Sequence, residues 1–200
     1  HDGSITVLAD RYDGRRLNSP NDLVAHSDGS IWFTDPSYGI DSDYEGNRAE
    51  SELDGCHVFR IDPGTGAVTK VADDFQRPNG LAFSADERQL YIVDTRRKHI
   101  RVFDVDTGAD GPQLTGGRVF AECTAGSFGG LRLDQASRIW AAAHDGVHCL
   151  HPDGTLLGKL YLPEPVSNIT FGGPKRNVLF ICATTSVYLI RVNFNGAVYP

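Results

Sequence analysis

Four times along this chain a polar pair is followed at once by a short apolar strand. Asn21-Asp22 precedes LVAHS, Asn79-Gly80 precedes LAFS, Gly129-Gly130 precedes LRLD, and Ser167-Asn168 precedes ITFGG. Across a short turn each is followed by a second strand: IWFTD, LYIVDT, IWAAAH and VLFICAT. The steps from Asp22 to Gly80, to Gly130 and to Asn168 are 58, 50 and 38 residues. An irregular period of that size, with up to four strands per unit, suits propeller blades better than a sandwich. Apolar residues alternate with period two in HVFRID, IRVFDVD, RIWAAAH and VYLIRVN, and Asp-Gly pairs at 28, 145 and 153 supply the turns. No stretch sustains a 3.6-residue apolar period, so the chain is read as all-β.

The strands divide the 200 residues into a single partial propeller domain. Residues 1–17 are the end of an earlier blade, with SITVLA as its last strand. Residues 18–76, 77–126 and 127–165 are full blades, and 166–200 is a last, incomplete one. That makes 16 strands, which suit an arc of a larger ring. The chain opens on His1 and contains no Met, so it is expected to be a processed or partial chain.

A net charge of −7 argues against nucleic acid and anionic membrane as partners, because both repel an acidic surface. No apolar run approaches the ~20 residues of a membrane span, and no signal-peptide pattern is present. The four cysteines are widely separated and form no C-x-x-C pair. Read as free thiols, they suit a cytoplasmic protein, with the periplasm as the alternative.

In a propeller the innermost strands run the same way, so their first residues ring one mouth of the central channel. Asn21, Asn79, Gly129 and Ser167 are expected to meet there. The bland reading of the Pro-Asn pairs is a turn, since Pro fixes φ and Asn-Gly favours hairpins. The cluster HDGVHCLH looks like zinc, but strand alternation points His148 away from Cys149 and His151, so they cannot converge on one ion. Asp22 and Asp94 are read as turn carboxylates. The loop GIDSDYEGNRAESELDG is either a lid or a solvated excursion. Asn168-Ile169-Thr170 fits the glycosylation pattern but opens a buried strand, and is discounted.

RLNSPNDLV, SDGSIWFTDPSYGI, RPNGLAFS, LRLD with RIWAAAHDGVHC, and FGGPKRNVLFICATT together resemble the SMP-30/gluconolactonase/regucalcin family, bacterial gluconolactonases above all. The resemblance implies a six-bladed β-propeller, of which this chain supplies about four blades. It implies a divalent cation, usually Ca²⁺, at one mouth, and a small-molecule lactone as partner. The implied activity is that of a calcium-dependent lactonase, opening a sugar-acid lactone by metal-assisted attack of water. Asn79 matches a metal ligand, and Asn21 a residue touching substrate or metal-bound water. Gly129 stands where the family has an Asp that is both ligand and general base, and a Glu ligand would precede His1. Glycine cannot take up a proton, so the alternative is a non-catalytic propeller that binds calcium or a partner. Were 129 the wrong position, Asp134 would be the next acid to consider.

Overall fold

In the computed structural model, which describes residues 2–108 and 111–197, four antiparallel sheets follow one another along the chain. The first holds β3 (Leu23–Ala25), β4 (Ile31–Asp35), β5 (Cys56–Ile61) and β6 (Val68–Phe75). The second holds β7 (Pro78–Phe83), β8 (Gln89–Asp94), β9 (His99–Gly108) and β10 (Gly111–Glu122). The third holds β11 (Phe128–Leu133), β12 (Ile139–Ala143), β13 (Gly146–Leu150) and β14 (Leu156–Tyr161). β15 (Val166–Gly172), β16 (Val178–Ala183) and β17 (Val187–Arg191) make the fourth. Strand order equals chain order in each, an antiparallel meander, with residues 36–55 as the long connection between β4 and β5. The expected propeller arrangement of four blades is present.

The core lies in the seams between blades, and strand parity decides which residue enters which seam. In β8, Leu90 and Ile92 pack with Trp32, Val58 and Leu81 between the first and second blades. Their neighbours Tyr91 and Val93 pack with Phe128, Leu131 and Ala141 between the second and third. In β12 the same alternation sends Ile139 and Ala141 to one seam and Trp140 and Ala142 to the next, against Ile169 and Leu179. A strand sandwiched by a blade on each side must be apolar at every position, and β12 is buried throughout. The outer strand β14 faces solvent over much of its length.

Two local features differ from the sequence reading. Residues 4–9, expected as the strand SITVLA, join no hydrogen-bonded ladder among the described residues, and Ile5, Val7 and Leu8 are exposed. A strand is held by pairing with an edge; these residues instead border a groove alongside Leu23, Ile31 and Phe33. A small hairpin, β1 (Arg11–Tyr12) with β2 (Arg15–Arg16), was not anticipated. Its turn pair Asp13-Gly14 has φ of 49° and 76°, the left-handed pair that a tight hairpin requires. The one helix among the described residues is α1 (Tyr38–Asp41), at the start of the acidic loop. No helix of the described residues is long and apolar enough to cross a membrane.

Candidate functional site

Asn21, Asn79, Gly129 and Ser167 line one cavity of about 460 Å³. It opens at the N-terminal ends of the innermost strands, where the repeat placed it. Thr95, His144 and Thr184 line the same cavity, each standing one residue beyond the second strand of its blade. Antiparallel pairing brings these two ring positions together, because the second strand ends where the first begins.

The polar pairs stand out from their ladders. Pairing is interrupted between Pro78 and Leu81, between Phe128 and Leu131, and between Val166 and Asn168. Such bulges turn residues away from the sheet plane and here towards the mouth. They also pack on one another from blade to blade. A Cβ on Gly80 would lie 2.6 Å from the Gly129 carbonyl oxygen, and one on Gly129 would lie 2.4 Å from that of Ser167. Side-chain space at 129 is therefore closed by backbone.

Asn79 is oriented. Its Nδ2 donates to Thr95 Oγ1 at 3.0 Å, and Thr95 Oγ1 donates in turn to the Phe128 carbonyl at 2.9 Å. The amide nitrogen is thus committed to the wall, and Oδ1 is left with no partner among the described residues. The Asn21 backbone N–H donates to the Thr34 carbonyl at 2.9 Å. Its side chain is exposed and makes no hydrogen bond among the described residues. Both asparagines thus line the cavity, Asn79 within the bulged start of β7 and Asn21 just ahead of β3.

Buried carboxylates hold the approach to both asparagines. Asp35, at the end of β4, accepts the Asn18 and Ser19 N–H groups at 2.8 Å each. Asp94, at the end of β8, accepts those of Gln76 at 2.8 Å and of Arg77 and Arg97 at 3.1 Å. Asp94 is the turn acid expected of it. Burial pushes the Asp35 carboxyl up to about 6, outweighing its two N–H donors and nearby His57. Asp22 holds the Leu23 N–H with Oδ1 and faces Arg132 at 3.5 Å with Oδ2. Asp134 lies at the far end of β11, fully buried, where it holds Arg138 and the Trp140 indole; it is no substitute for an acid at 129.

The acidic loop stands at the mouth, where Tyr38 and Glu45 line the cavity. Arg77 anchors it, donating to Ser37 Oγ at 2.6 Å and Asp41 Oδ2 at 2.7 Å beneath the Tyr38 ring. That bond holds the Asp41 carboxyl below its ordinary range. In the His-rich stretch, Asp145 takes His148 at 2.6 Å and Lys159 at 2.8 Å. His151 is exposed beside Asp153, and His144 alone of the three histidines reaches the mouth. In the sequence His144 stands out only as part of a zinc-like cluster. Its phase with Thr95 and Thr184, one place past the second strand, was the signal that would have found it.

Whether these residues suit a divalent cation depends on the donor set. Asn79 Oδ1 is a hard oxygen of the kind Ca²⁺ takes, whereas the Asn79 and Phe128 carbonyls already accept the Thr34 and Thr95 hydroxyls. Among the described residues, Glu45 is the one carboxylate that lines the cavity, and no group of three His, Cys, Asp or Glu gathers to hold an ion. The Asn79 oxygen fits in kind, with little charge to oppose that of the cation.

A propeller arc with a polar, oxygen-lined mouth is a scaffold for a small-molecule site. The chain belongs to the SMP-30/gluconolactonase/LRE-like family, whose model matches residues 1–185. It is 34% identical over 200 residues to a gluconolactonase of Zymomonas mobilis, which covers 96% of this chain and 55% of the relative. A 6-deoxy-6-sulfogluconolactonase of Pseudomonas putida is 28% identical over 74% of this chain and 57% of its own. Among solved structures, a gluconolactonase from Xanthomonas campestris superposes with a TM-score of 0.89 at 37% identity, over 95% of this chain and 62% of that one. A calcium-binding regucalcin from Agrobacterium tumefaciens shares the fold, with a TM-score of 0.73 at 20% identity, over 90% of this chain and 63% of its own. The chain spans about half the length of these curated relatives.

Proposed function

We propose that the protein is a lactone hydrolase of the gluconolactonase type, opening a sugar-acid lactone to the free acid by attack of water at this mouth. The observation that carries the reading is the convergence of Asn21, Asn79, Gly129 and Ser167 on one cavity. Its volume suits a single sugar ring, within the ordinary range for small-ligand sites. The Asn21 amide, exposed and uncommitted, is placed to hydrogen-bond the lactone's oxygens. Asn79 would hold a divalent cation, most simply Ca²⁺, through Oδ1. When bound, that ion would supply Lewis-acid polarisation of the lactone carbonyl. Thr95 keeps the Asn79 oxygen pointed away from the wall, so no reorientation is needed on binding. Around this arc the family's six-bladed ring is the architecture we infer, with the blade limits given above. Four free thiols among the described residues favour a cytoplasmic setting.

A non-catalytic propeller that binds calcium or a partner is the competing reading, favoured by the closed space at 129. Acid release from glucono-1,5-lactone, followed by pH-stat with Ca²⁺ and with chelator, separates the two. Rates no higher than spontaneous hydrolysis would end the hydrolase reading. Asn79→Ala should lower Ca²⁺ affinity in calorimetric titration more than Asn21→Ala, because a ligand loses a coordination bond and a pocket residue at most a water-mediated contact. Equal or reversed losses would remove Asn79 as the ligand.

A further inference from the structure

The closed space at 129 leaves the proposed hydrolysis without a proton acceptor at the place where the resemblance put one. Among the described residues lining the mouth, a carboxylate and an imidazole are the side chains that commonly serve as a general base: Glu45, on the loop, and His144, on the scaffold. We propose that His144 is the general base of this site, a role that rests on the lactone-hydrolase reading.

Three observations support it. First, His144 follows directly on β12, a wholly buried strand, so its Cα is fixed although its side chain is exposed to the cavity. Secondly, the imidazole is seated on a glycine. A Cβ at Gly126 would lie 2.3 Å from both Cγ and Nδ1 of His144, and Gly126 has a φ of +77°. The backbone conformation favours glycine at 126, and the missing Cβ leaves the space that the ring fills. Thirdly, Nε2 faces Ser127 Oγ at 3.4 Å, a loose contact that water can take over. Neighbouring Asp145 is committed to His148 and Lys159, and so does not tie His144 down. The charged and titratable groups that share the mouth with His144 are Glu45 and Tyr38 from the loop.

The step balances without any further reactant. The oxygen of water bonds to the lactone's acyl carbon while one of its protons passes to His144 Nε2. The tetrahedral oxyanion then collapses, the bond from the acyl carbon to the ring oxygen breaks, and the imidazolium returns its proton to that oxygen. The product is the open-chain hydroxy acid. Ser127 orients the water and remains uncharged.

The test is pH-stat hydrolysis of glucono-1,5-lactone between pH 5 and 8, corrected for spontaneous opening, on the full chain and three variants. An imidazole base makes kcat/KM rise across that range. His144→Gln should lower kcat about 100-fold, leave KM within about threefold, and flatten the pH profile. Gly126→Ala, which displaces the ring, should fall in the same direction by about 10-fold with an unchanged circular dichroism spectrum. Ser127→Ala should lose less than about fivefold. Parent activity with His144→Gln within threefold of it overturns the role of His144 alone. A parent with no rate above spontaneous opening overturns the hydrolase reading and this role with it. Loss in Ser127→Ala equal to that in His144→Gln, with a burst of acyl-enzyme, would make Ser127 the nucleophile and remove the water mechanism.

Discussion

The second and third blades solve one problem in two ways. Each must bring a loop into the mouth and start an innermost strand there. In the second blade, Asp94 ends β8 and takes the N–H groups of Gln76 and Arg77, two residues ahead of Asn79. The first blade does the same with Asp35, Asn18 and Ser19. In the third, the position that ends β12 is Ala143, which can accept nothing through its side chain. The incoming loop is held instead by the His144 ring lying on Gly126 and by the Cys123 N–H donating to the Lys98 carbonyl at 2.7 Å. In the second blade, where a carboxylate clasps the loop, the residue facing the cavity is Thr95; in the third, without that clasp, it is His144. One scaffold thus presents a hydroxyl clamped to the wall on one side of the cavity and an imidazole on another.

The clasp should be the costlier of the two devices to break. Asp94→Ala leaves three backbone N–H groups without their acceptor at a fully buried position. We expect a loss of about 4 kcal/mol, read by urea unfolding. A loss under 1 kcal/mol would mean that water replaces the carboxylate.

Asp35 sharpens the comparison through pH. Its folded-state pKa is raised to about 6, above the roughly 3.9 of an unfolded Asp. The folded protein therefore binds the proton more tightly, and this group's stabilising contribution is present below about pH 4 and lost as pH rises through 6. Asp35→Asn removes the titration. Parent stability minus variant stability should fall by about 3 kcal/mol from pH 4 to pH 7.5. A difference that rises with pH would show that the two N–H donors outweigh burial.

The smallest effect is expected in the third blade. Gly129→Asp places a Cβ against the Ser167 carbonyl, so β15 must retreat or the bulge must turn, costing about 2 kcal/mol in the same unfolding assay. A variant as stable as the parent, with tighter Ca²⁺ binding, would show that the carboxylate position is open after all and restore 129 as the site of the base.

Much of this was legible in the chain. Alternation in RIWAAAH and IRVFDVD marks strands because side-chain parity is a property of the backbone, needing no knowledge of what lies on either face. The fourfold polar pair marks the mouth because innermost strands share a direction. Asp94 is legible as a turn acid from its place at a strand end, whereas Asp35, which ends β4 in the same way, drew no such reading. SITVLA has the alternation of a strand, but alternation does not provide an edge to pair with, and residues 4–9 form no ladder among the described residues.

What the sequence by itself determined is the set of elements: all-β blades, their order, and which residues open each innermost strand. The distances between those openings were decided by the tertiary structure. Whether a side chain fits at 129 depends on a carbonyl at Ser167, contributed by the next blade and placed there by how closely the seam between them packs. Whether His144 or His148 reaches the cavity turns on where β12 stops, since one lies just beyond its end and the other within the buried β13. Local pattern fixes the direction of each strand and the alternation of its faces. Close packing between blades sets the few ångströms that determine which of those residues can hold a ligand.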